Sequence, residues 1–204
     1  MAASSPEPGL PTRLETERLV IRLYEPGDAA ALRELIERNR EDLLQSFPKT
    51  AMIWQSEDAC RQYIDGRAEL WRGRQAFWAG LWLRDGQSGG AGGAGVHVGQ
   101  LHVKQIAWEI PSAELGYFVD AGRRRQGLAA EAVRAAVEEF LGRRGFRRLF
   151  LRVIPSNAAS VRLARSLGFR FEGRHADAFR CGRGELHDLL CYARTPRDAV
   201  APRS

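Results

Sequence analysis

The chain has 204 residues with a net charge of +6, and 44% of them are hydrophobic; this length and composition suit a single globular domain. Arginine supplies all of the positive charge except Lys49 and Lys104 and is interleaved with acidic residues, so the charge alone does not indicate a nucleic-acid-binding protein. A signal peptide, an apolar run of about 18 residues and a CxxC pair are all missing, which argues against secretion, a membrane span and a disulfide framework and leads us to expect a reduced, cytoplasmic setting.

The sequence predicts one domain flanked by two tails. The domain covers residues 13–194, and residues 1–12 and 195–204 are predicted to be flexible. From residue 77 onward the expected order of elements is β-β-β-α-β-α-β-β, without an internal repeat. This order predicts an α+β fold.

The first part of the domain combines one strand with two helices. A β-rich run covers residues 18–25. Asp28 is then expected to cap a helix over 29–40, and Ser56 a second helix over 57–73, because each precedes an amphipathic run.

The second part alternates strands with two more helices. Strands are predicted over residues 75–86, 96–106, 113–119, 148–155, 169–174 and 185–194, and helices over 128–141 and 156–168. The glycine-rich segment 85–95 matches GxGxxG, the dinucleotide-binding pattern. That pattern requires a helix after it, whereas a strand is predicted here, so we interpret the segment as a hairpin loop.

A strand, a basic loop and a helix follow one another at residues 113–141. The loop holds three consecutive arginines at 123–125, and Gly127 stands directly before the helix. The unpaired N–H groups and the dipole at a helix start attract anions, and a glycine lets the backbone approach closely. The segment therefore predicts a site for a group with several phosphates; the alternative is a solvated, arginine-rich turn.

Two motifs in this order resemble one enzyme family. Residues 124–129 match R/Q-x-x-G-x-G/A, and residues 157–173 match N-x-x-S-x7-G-F-x-x-E-G. At this spacing they resemble the acetyl-CoA pyrophosphate loop and the C-terminal signature of the GNAT-fold N-acetyltransferases, in the RimJ/RimL-like branch. The resemblance extends over about residues 13–194, with residues 14–32 similar to the first strand and helix and residues 98–103 to the third strand.

The resemblance implies a GNAT-type fold with a distinctive opening. This fold is a mixed, mostly antiparallel sheet with a splayed central strand pair and flanking helices. The strand that carries Phe118 and Val119 would splay from the strand at 148–155, and the pantetheine arm of acetyl-CoA would enter between them. The Val119 N–H would also face the thioester oxygen, where negative charge develops.

The same resemblance implies the other contacts to acetyl-CoA. The pyrophosphate would bind backbone N–H groups of Arg124, Arg125, Gln126, Gly127, Leu128 and Ala129. Asn157 would hydrogen-bond the arm of the cofactor. The family pattern usually has a glycine where this chain has Arg125, a departure that is compatible with a backbone-mediated site but could crowd one phosphate.

Acetyl transfer needs a proton acceptor and a proton donor. An α-amine has a pKa near ~8 and a lysine near ~10.4, so a base must remove a proton before or during attack. Glu114, beside the splay, is the candidate base, acting directly or through water; the alternative is a solvated carboxylate at a strand end. Ser160 would protonate the leaving thiolate; the alternative is a helix serine bonded to a backbone carbonyl. Glu185 and Asp188 are weaker candidates for holding a cationic acceptor.

The sequence implies neither a metal nor a covalent intermediate. The four histidines show no ligand spacing with acids or cysteines, and His97 and His102 are predicted to point to opposite faces of one strand. A GxSxG turn and a Cys/His pairing are both missing, so direct attack of the amine on the thioester is expected.

The acceptor amine is expected to be a protein N-terminal α-amine, since the family acetylates ribosomal proteins; small amines and amino-acid derivatives are the alternative. Specificity would lie in residues 38–54, where Phe47, Met52 and Trp54 either line the acceptor cleft or belong to the core. We expect no membrane partner, and a monomer and a dimer are both open.

Two other classes of protein remain as alternatives. A CoA-binding protein without activity is disfavoured by the presence of Asn157 and Ser160. A basic RNA- or DNA-binding module is disfavoured because the arginines cluster at a loop–helix junction instead of alternating with aromatic residues on a strand surface. Nucleic acid is therefore not expected as the main partner.

Overall fold

Eight strands form one sheet in the computed structural model of the protein, which describes residues 9–84 and 95–199. In chain order they are β1 (Arg13–Glu15), β2 (Leu19–Leu23), β3 (Phe77–Leu83), β4 (His97–Ala107), β5 (Ser112–Val119), β6 (Arg148–Val153), β7 (Arg170–Arg180) and β8 (Leu186–Arg194). Their order across the sheet is β1-β2-β3-β4-β5-β6-β8-β7. All neighbours are antiparallel except β5 and β6, which run parallel. The predicted α+β class and the mixed, mostly antiparallel sheet are confirmed.

Within residues 9–84 and 95–199, six α-helices cover the two faces of this sheet. They are α1 (Ala29–Arg38), α2 (Arg40–Ser46), α3 (Pro48–Ala51), α4 (Glu57–Arg72), α5 (Leu128–Val137) and α6 (Ala158–Ser166). The helix predicted over 29–40 ends early because the backbone departs from helical geometry at Asn39, and α2 begins after it. A π-helical segment, Glu138–Arg143, extends α5. Within the described ranges, none of the helices is both long and apolar enough to span a membrane.

Each face of the sheet has its own hydrophobic core. One core joins α5 to residues such as Ile21 and Leu81, and the other joins α1 and α4 to residues such as Trp82 and Tyr24. Successive side chains of a strand point to opposite faces, so neighbouring residues such as Leu81 and Trp82 serve different cores. The cleft described below opens where these two layers meet β5.

One predicted helix cap is confirmed and one is wrong. The Ser56 Oγ accepts a hydrogen bond from the Ala59 N–H at 3.0 Å and caps α4. Asp28 precedes α1, but its carboxylate accepts from the Glu25 N–H and pairs with Arg22 instead of capping the helix. The reason is a turn of 3-10 helix over Pro26–Asp28, which turns the Asp28 side chain back toward the preceding strand.

A β-bulge corrects the prediction for the two histidines of β4. The pairing of β3 with β4 shifts register beside Trp82, and Val98 is the extra residue. Trp82 therefore pairs with His97, and Trp78 pairs with His102. Trp78 and Trp82 are four positions apart on β3, so their side chains share a face. His97 and His102, which pair with them, therefore also share a face. The expectation of opposite faces is wrong because a bulge reverses the alternation.

The described parts of both predicted tails are packed against the domain. Leu10 is buried in the core, and the Thr12 carbonyl accepts a hydrogen bond from β2. At the other end, the Asp198 carboxylate accepts hydrogen bonds from Thr195 and pairs with Arg170. The prediction of loose tails is wrong for these residues, since Leu10 is apolar enough to join the core and Asp198 caps its own turn. The rest of both tails, and nearly all of the glycine-rich segment 85–95, lies outside the described residues.

Candidate functional site

The two central strands separate partway along their length. Parallel pairing of β5 with β6 covers three residue pairs, from Ser112–Arg148 to Glu114–Phe150. Beyond Glu114, in the described chain, β5 pairs on one side only, with β4 as far as Val119. Backbone groups on the other side of that stretch are left for an extended ligand with amide groups. The splay that the resemblance implied is therefore present, and Val119 lies at its far end.

The basic loop after β5 is shaped as a turn into α5. Gly127 stands directly before the helix with φ of +80°, in the left-handed region that glycine adopts without steric cost. Arg125 is also left-handed, with φ of +63°, and its side chain is exposed. A glycine would suit this position better, which accounts for the family pattern from which Arg125 departs. Because the Arg125 side chain is exposed to solvent, it need not crowd a phosphate bound at the backbone.

A cavity of about 600 Å³ connects the splay to this loop. Its size is within the range of small-ligand sites, about 300–1,000 Å³. Nine of the predicted site residues line it: Phe118, Val119, Arg124, Arg125, Gly127, Leu128, Ala129, Asn157 and Ser160. Gln126 does not line it; its carbonyl instead accepts a hydrogen bond from Arg18. We call this space the large cavity.

A half-buried clamp behind the loop was not predicted. Glu131, in the first turn of α5, accepts hydrogen bonds from the Thr16 hydroxyl at 2.6 Å and from the Arg18 N–H and Nε at 2.9 and 2.7 Å. Arg18 also holds the Gln126 carbonyl at 2.8 Å. Burial opposes ionisation of Glu131, but the hydrogen bonds from Thr16 and Arg18 outweigh it and lower its pKa. The clamp fixes α5 and the Gln126 carbonyl, and so the direction of the neighbouring N–H groups.

A second set of contacts ties the same loop to the helices on the other face. The buried Asn39 accepts a hydrogen bond from the Ala121 N–H at 2.7 Å and donates one to the Asp120 carboxylate at 3.1 Å. Arg124 pairs with Asp42 of α2 at 2.6 Å. Asp42 is thus an acidic group at the edge of the large cavity, and an arriving phosphate would compete with it for Arg124.

Asn157 and Ser160 lie together at the start of α6. The Asn157 Oδ1 accepts a hydrogen bond from the Ser160 N–H at 3.1 Å, so Asn157 caps the helix and keeps its Nδ2 donors for a ligand. The alternative role of Ser160, a bond from its hydroxyl to a backbone carbonyl, is not formed among the described residues. Its hydroxyl instead lies beside that of Tyr117, whose pKa is raised by burial.

A smaller cavity of about 270 Å³ adjoins the large one. The two share six lining residues, which are Ser46, Phe47, Tyr117, Ile154, Asn157 and Ser160. The side chains that line only the small cavity include His102, Lys104, Glu114 and Arg152. Ser160 and Asn157 therefore stand where the two cavities meet, and Glu114 lies on the side away from the basic loop.

Glu114 is a buried, paired carboxylate. It is 6% exposed, and its oxygens lie 2.5 Å from the Arg152 Nη2 and 3.6 Å from the Lys104 Nζ. The alternative interpretation, a solvated carboxylate at a strand end, is wrong, because the parallel pairing with β6 covers Glu114. Its ion pairs with Arg152 and Lys104 fix the position of the carboxylate in the small cavity.

His102 is a second polar group of the small cavity. Its ring stacks on Trp78 at 4.2 Å between centroids and meets the edge of Phe47 at 5.7 Å. Burial lowers the pKa of His102 well below its ordinary value, and the nearby Lys104 acts in the same direction. The imidazole is therefore neutral at pH 7 and can accept or donate a hydrogen bond there. The sequence contained no local signal for this placement, since it depends on the bulge in β4.

Of the three aromatic or apolar residues proposed for the acceptor cleft, one lines the cavities. Phe47 lines both cavities and contacts Phe118, with 5.9 Å between ring centroids. Met52 is 53% exposed and belongs to neither the cleft nor the core. Trp54 is half-buried beneath the guanidinium of Arg40.

Glu185 and Asp188 line neither cavity within the described residues. Asp188 pairs with Arg174, and Glu185 lies near Cys181 and His187. Potential ligand atoms of Cys181, Glu185 and His187 all lie within 4.8 Å of one another. The turn between β7 and β8 brings these three residues together, a proximity that their spacing in the sequence did not indicate.

Comparisons with known proteins agree with this geometry. The profile of the acetyltransferase (GNAT) domain family matches residues 18–170. The uncharacterised N-acetyltransferase p20 of Bacillus licheniformis is 28% identical over 101 residues, covering 50% of this chain and 56% of that protein, so the chain spans about half the length of this curated relative.

Solved structures share the whole fold. A crystal structure of a probable acetyltransferase is 25% identical, with a TM-score of 0.80 over 91% of this chain and 98% of that chain. RimL, a ribosomal L7/L12 α-N-protein acetyltransferase solved in complex with coenzyme A, is 22% identical, with a TM-score of 0.75 over 88% and 95% of the two chains. The likeness to RimL shows the fold alone. Because the family profile covers most of the sequence and the splay and loop are in place, the chain belongs to the GNAT acetyltransferase family.

Proposed function

We propose that the protein is an N-acetyltransferase that moves an acetyl group from acetyl-CoA to a primary amine by direct attack. The observation that carries the proposal is the splay of β5 from β6, which ends at the left-handed turn before α5. This arrangement offers backbone groups to an amide-containing arm and a helix start to a diphosphate. GNAT acetyltransferases use acetyl-CoA and no metal.

The large cavity fits acetyl-CoA by its size and its charges. Three arginines line one end, Arg123, Arg124 and Arg125, and match the phosphates of CoA. The apolar Phe118 and Val119 line the stretch toward the thioester. When bound there, acetyl-CoA supplies the activated acetyl group, and the Val119 N–H would stabilise the negative charge that develops on its oxygen.

Glu114 is proposed as the proton acceptor for the attacking amine. The amine must lose a proton, since only the neutral form has a lone pair to attack with. Glu114 is held in the small cavity by Lys104 and Arg152, and Ser160 stands between that cavity and the large one. An amine that enters from the small cavity would pass its proton to Glu114, directly or through water, as it attacks.

Ser160 is proposed as the proton donor for the leaving thiolate. Its hydroxyl lies beside the Tyr117 hydroxyl, at the boundary of the two cavities. The amine adds to the carbonyl carbon to give a tetrahedral intermediate, and the C–S bond then breaks as the C=O bond re-forms, so that the thiolate needs a proton. A donor at this boundary serves the thiolate without contacting the base.

A protein N-terminal α-amine is the proposed acceptor. RimL, which shares the fold, is described as acting on the α-amine of ribosomal L7/L12. The small cavity, at about 270 Å³, has room for a first residue, while α2 and the β7–β8 hairpin form its outer wall. A small free amine is the alternative acceptor.

A thiol-release assay tests the proposal. We expect acetyl-CoA consumption with peptides that have a free N-terminus, and none with the same peptides blocked at the N-terminus but carrying an internal lysine. Activity on lysine or small amines alone would contradict the acceptor but not the chemistry.

A stability assay tests the cofactor separately. Acetyl-CoA at 100 times its Kd should raise the free energy of unfolding by ~2.7 kcal/mol. An RNA oligonucleotide at the same concentration should not. If the oligonucleotide stabilises the protein and acetyl-CoA does not, the enzyme proposal fails.

A further inference from the structure

We infer that the turn between β7 and β8 binds a divalent transition-metal ion, with zinc as the best match, through Cys181, Glu185 and His187. Their potential ligand atoms lie within 4.8 Å of one another, and no ion is part of the structure. In the described ranges these residues line neither of the two cavities. The ion would therefore be structural, and the inference does not depend on the proposed function.

The register of the hairpin places the three ligands on one face. Phe179 pairs with His187, and the Cys181 N–H donates to the Glu185 carbonyl at 3.0 Å. Residues opposite each other, and residues two apart on a strand, share a face. Cys181, Glu185 and His187 therefore project together from the end of the hairpin.

The chemistry of the three ligands suits zinc. A thiolate, an imidazole and a carboxylate are the three side-chain groups that zinc takes in proteins, at about 2.0–2.3 Å. Tetrahedral geometry at these bond lengths separates the ligand atoms by about 3.3–3.8 Å. The Glu185 side chain is 61% exposed and can rotate to close this distance. A thiolate and a carboxylate together balance the charge of a divalent ion, and the fourth position is left for water.

The surroundings leave room for a cation. Two arginines flank the turn, but Arg180 donates to the Gly184 carbonyl and Arg183 pairs with Glu41. Glu41 thus balances the charge of Arg183, whereas the Arg180 guanidinium is directed at a neutral carbonyl of the turn. The His187 Nε2 lies 3.1 Å from the Gln45 side-chain nitrogen and 3.6 Å from the Glu185 carboxylate, so an ion bound at this nitrogen would displace the Gln45 contact.

The ion would fasten the hairpin to α2. The Gly182 N–H donates to the Leu44 carbonyl at 2.7 Å, and a Cβ at Gly182 would lie 2.6 Å from the Leu44 side chain. The turn thus already touches α2, whose Ser46 lines both cavities. A metal at Cys181 and His187 would rigidify the outer wall of the small cavity.

Cobalt titration of the reduced, metal-free protein tests the inference. We expect one Co²⁺ per chain, with thiolate-to-cobalt charge-transfer absorption that Zn²⁺ displaces. Cys181→Ser should abolish this absorption, and His187→Gln should weaken Co²⁺ binding at least ten-fold. Cys191→Ser and His175→Gln are matched controls, because their Sγ and Nδ1 atoms lie 3.8 Å apart on the same two strands without a third ligand; both should bind as the wild type does.

Glu185→Gln keeps the test decisive if the buried Cys181 variant misfolds. Glu185 is exposed, so this variant should keep the wild-type Tm without metal, and Zn²⁺ should raise its Tm less than that of the wild type. Absence of thiolate absorption in the wild type, or equal loss of binding in the Cys191→Ser control, would overturn the inference.

Discussion

The large and small cavities adjoin each other but are built in different ways. The large cavity is lined mainly by two continuous segments, around residues 117–130 and 154–163, with residues from 39–47 along one side. The small cavity draws side chains from α2, α6, five different strands and the segments beside them, including the charged Lys104, Glu114 and Arg152. A site made from one segment leaves a motif in the sequence, whereas a site assembled from distant strands does not.

The charges of the two cavities differ in the same way. Arg124 at the large cavity is half exposed, so its field is screened by solvent and it can exchange Asp42 for a phosphate. Glu114 at the small cavity is 6% exposed and is held between two cations. The first arrangement suits reversible binding of a phosphate, and the second fixes one carboxylate for chemistry. Substitutions should therefore separate binding from turnover.

The largest effect is expected from Gly127→Glu, which changes the large cavity. A side chain at φ of +80° is strained, and its negative charge would repel phosphates. We expect acetyl-CoA binding to fall below detection in calorimetry while circular dichroism still shows a folded protein. Gly122→Glu is the control, since it adds the same charge where a Cβ meets nothing within 4 Å. Equal acetyl-CoA affinity of the Gly127 variant and the wild type would contradict a phosphate site at this turn.

Glu114→Gln changes the small cavity and should lower turnover without weakening cofactor binding in the large cavity. Removing the base should lower kcat by about 10²-fold or more, while the Kd for acetyl-CoA changes less than about two-fold. The loss should appear in kcat, which separates a role in chemistry from a role in holding the cofactor. Glu109→Gln, on the exposed turn before β5, is the control. A matching loss of cofactor affinity would show that the two cavities are not independent.

Glu131→Gln tests how far the large cavity depends on the clamp behind it. Weaker hydrogen bonds to Thr16 and Arg18 should loosen the loop and raise the Kd for acetyl-CoA about ten-fold, or ~1.4 kcal/mol, with kcat nearly unchanged. The control is Glu138→Gln, an exposed residue of the helical segment after α5. An unchanged Kd for acetyl-CoA would show that Glu131 contributes only to the stability of the fold.

The pH dependence of stability gives the same variant a second readout. The folded-state pKa of Glu131 is lowered, so its stabilisation is fully present above the ordinary carboxyl pKa of about 4.3 and is lost as pH falls through the lowered value. The wild type should therefore lose more stability than Glu131→Gln between about pH 5 and the lowered value. Urea unfolding at several pH values would measure this difference.

Ser160→Ala should have the smallest effect, because Ser160 belongs to both cavities and a thiolate leaves readily. We expect kcat to fall about five-fold, with cofactor affinity unchanged. Ser166→Ala, in the same helix, loses only a bond to a backbone carbonyl and should match the wild type. If Ser160→Ala turns over normally, Ser160 serves only the structure of α6.

The patterns of local sequence predicted the elements well and the long-range contacts poorly. The strands after residue 77, the Ser56 cap and the turn at Gly127 follow from hydrophobic alternation and from single residues with strong backbone preferences, although β7 continues six residues beyond its predicted end at residue 174. Local patterns did not predict the bulge at Val98 or the break at Asn39. The bulge depends on pairing with β3 across the sheet, and Asn39 bonds Asp120, which is 81 residues away in the sequence.

The sequence by itself determined the turn before α5, the proposed diphosphate site, because a left-handed glycine before an amphipathic helix needs only neighbouring residues to form. It also determined the family, through two motifs with a fixed spacing. Only the tertiary structure decided that Glu114 is buried between Lys104 and Arg152, that His102 shares its cavity, and that Glu131 clamps the loop. Those contacts depend on strand register and on helix packing between distant parts of the chain, which no local pattern encodes.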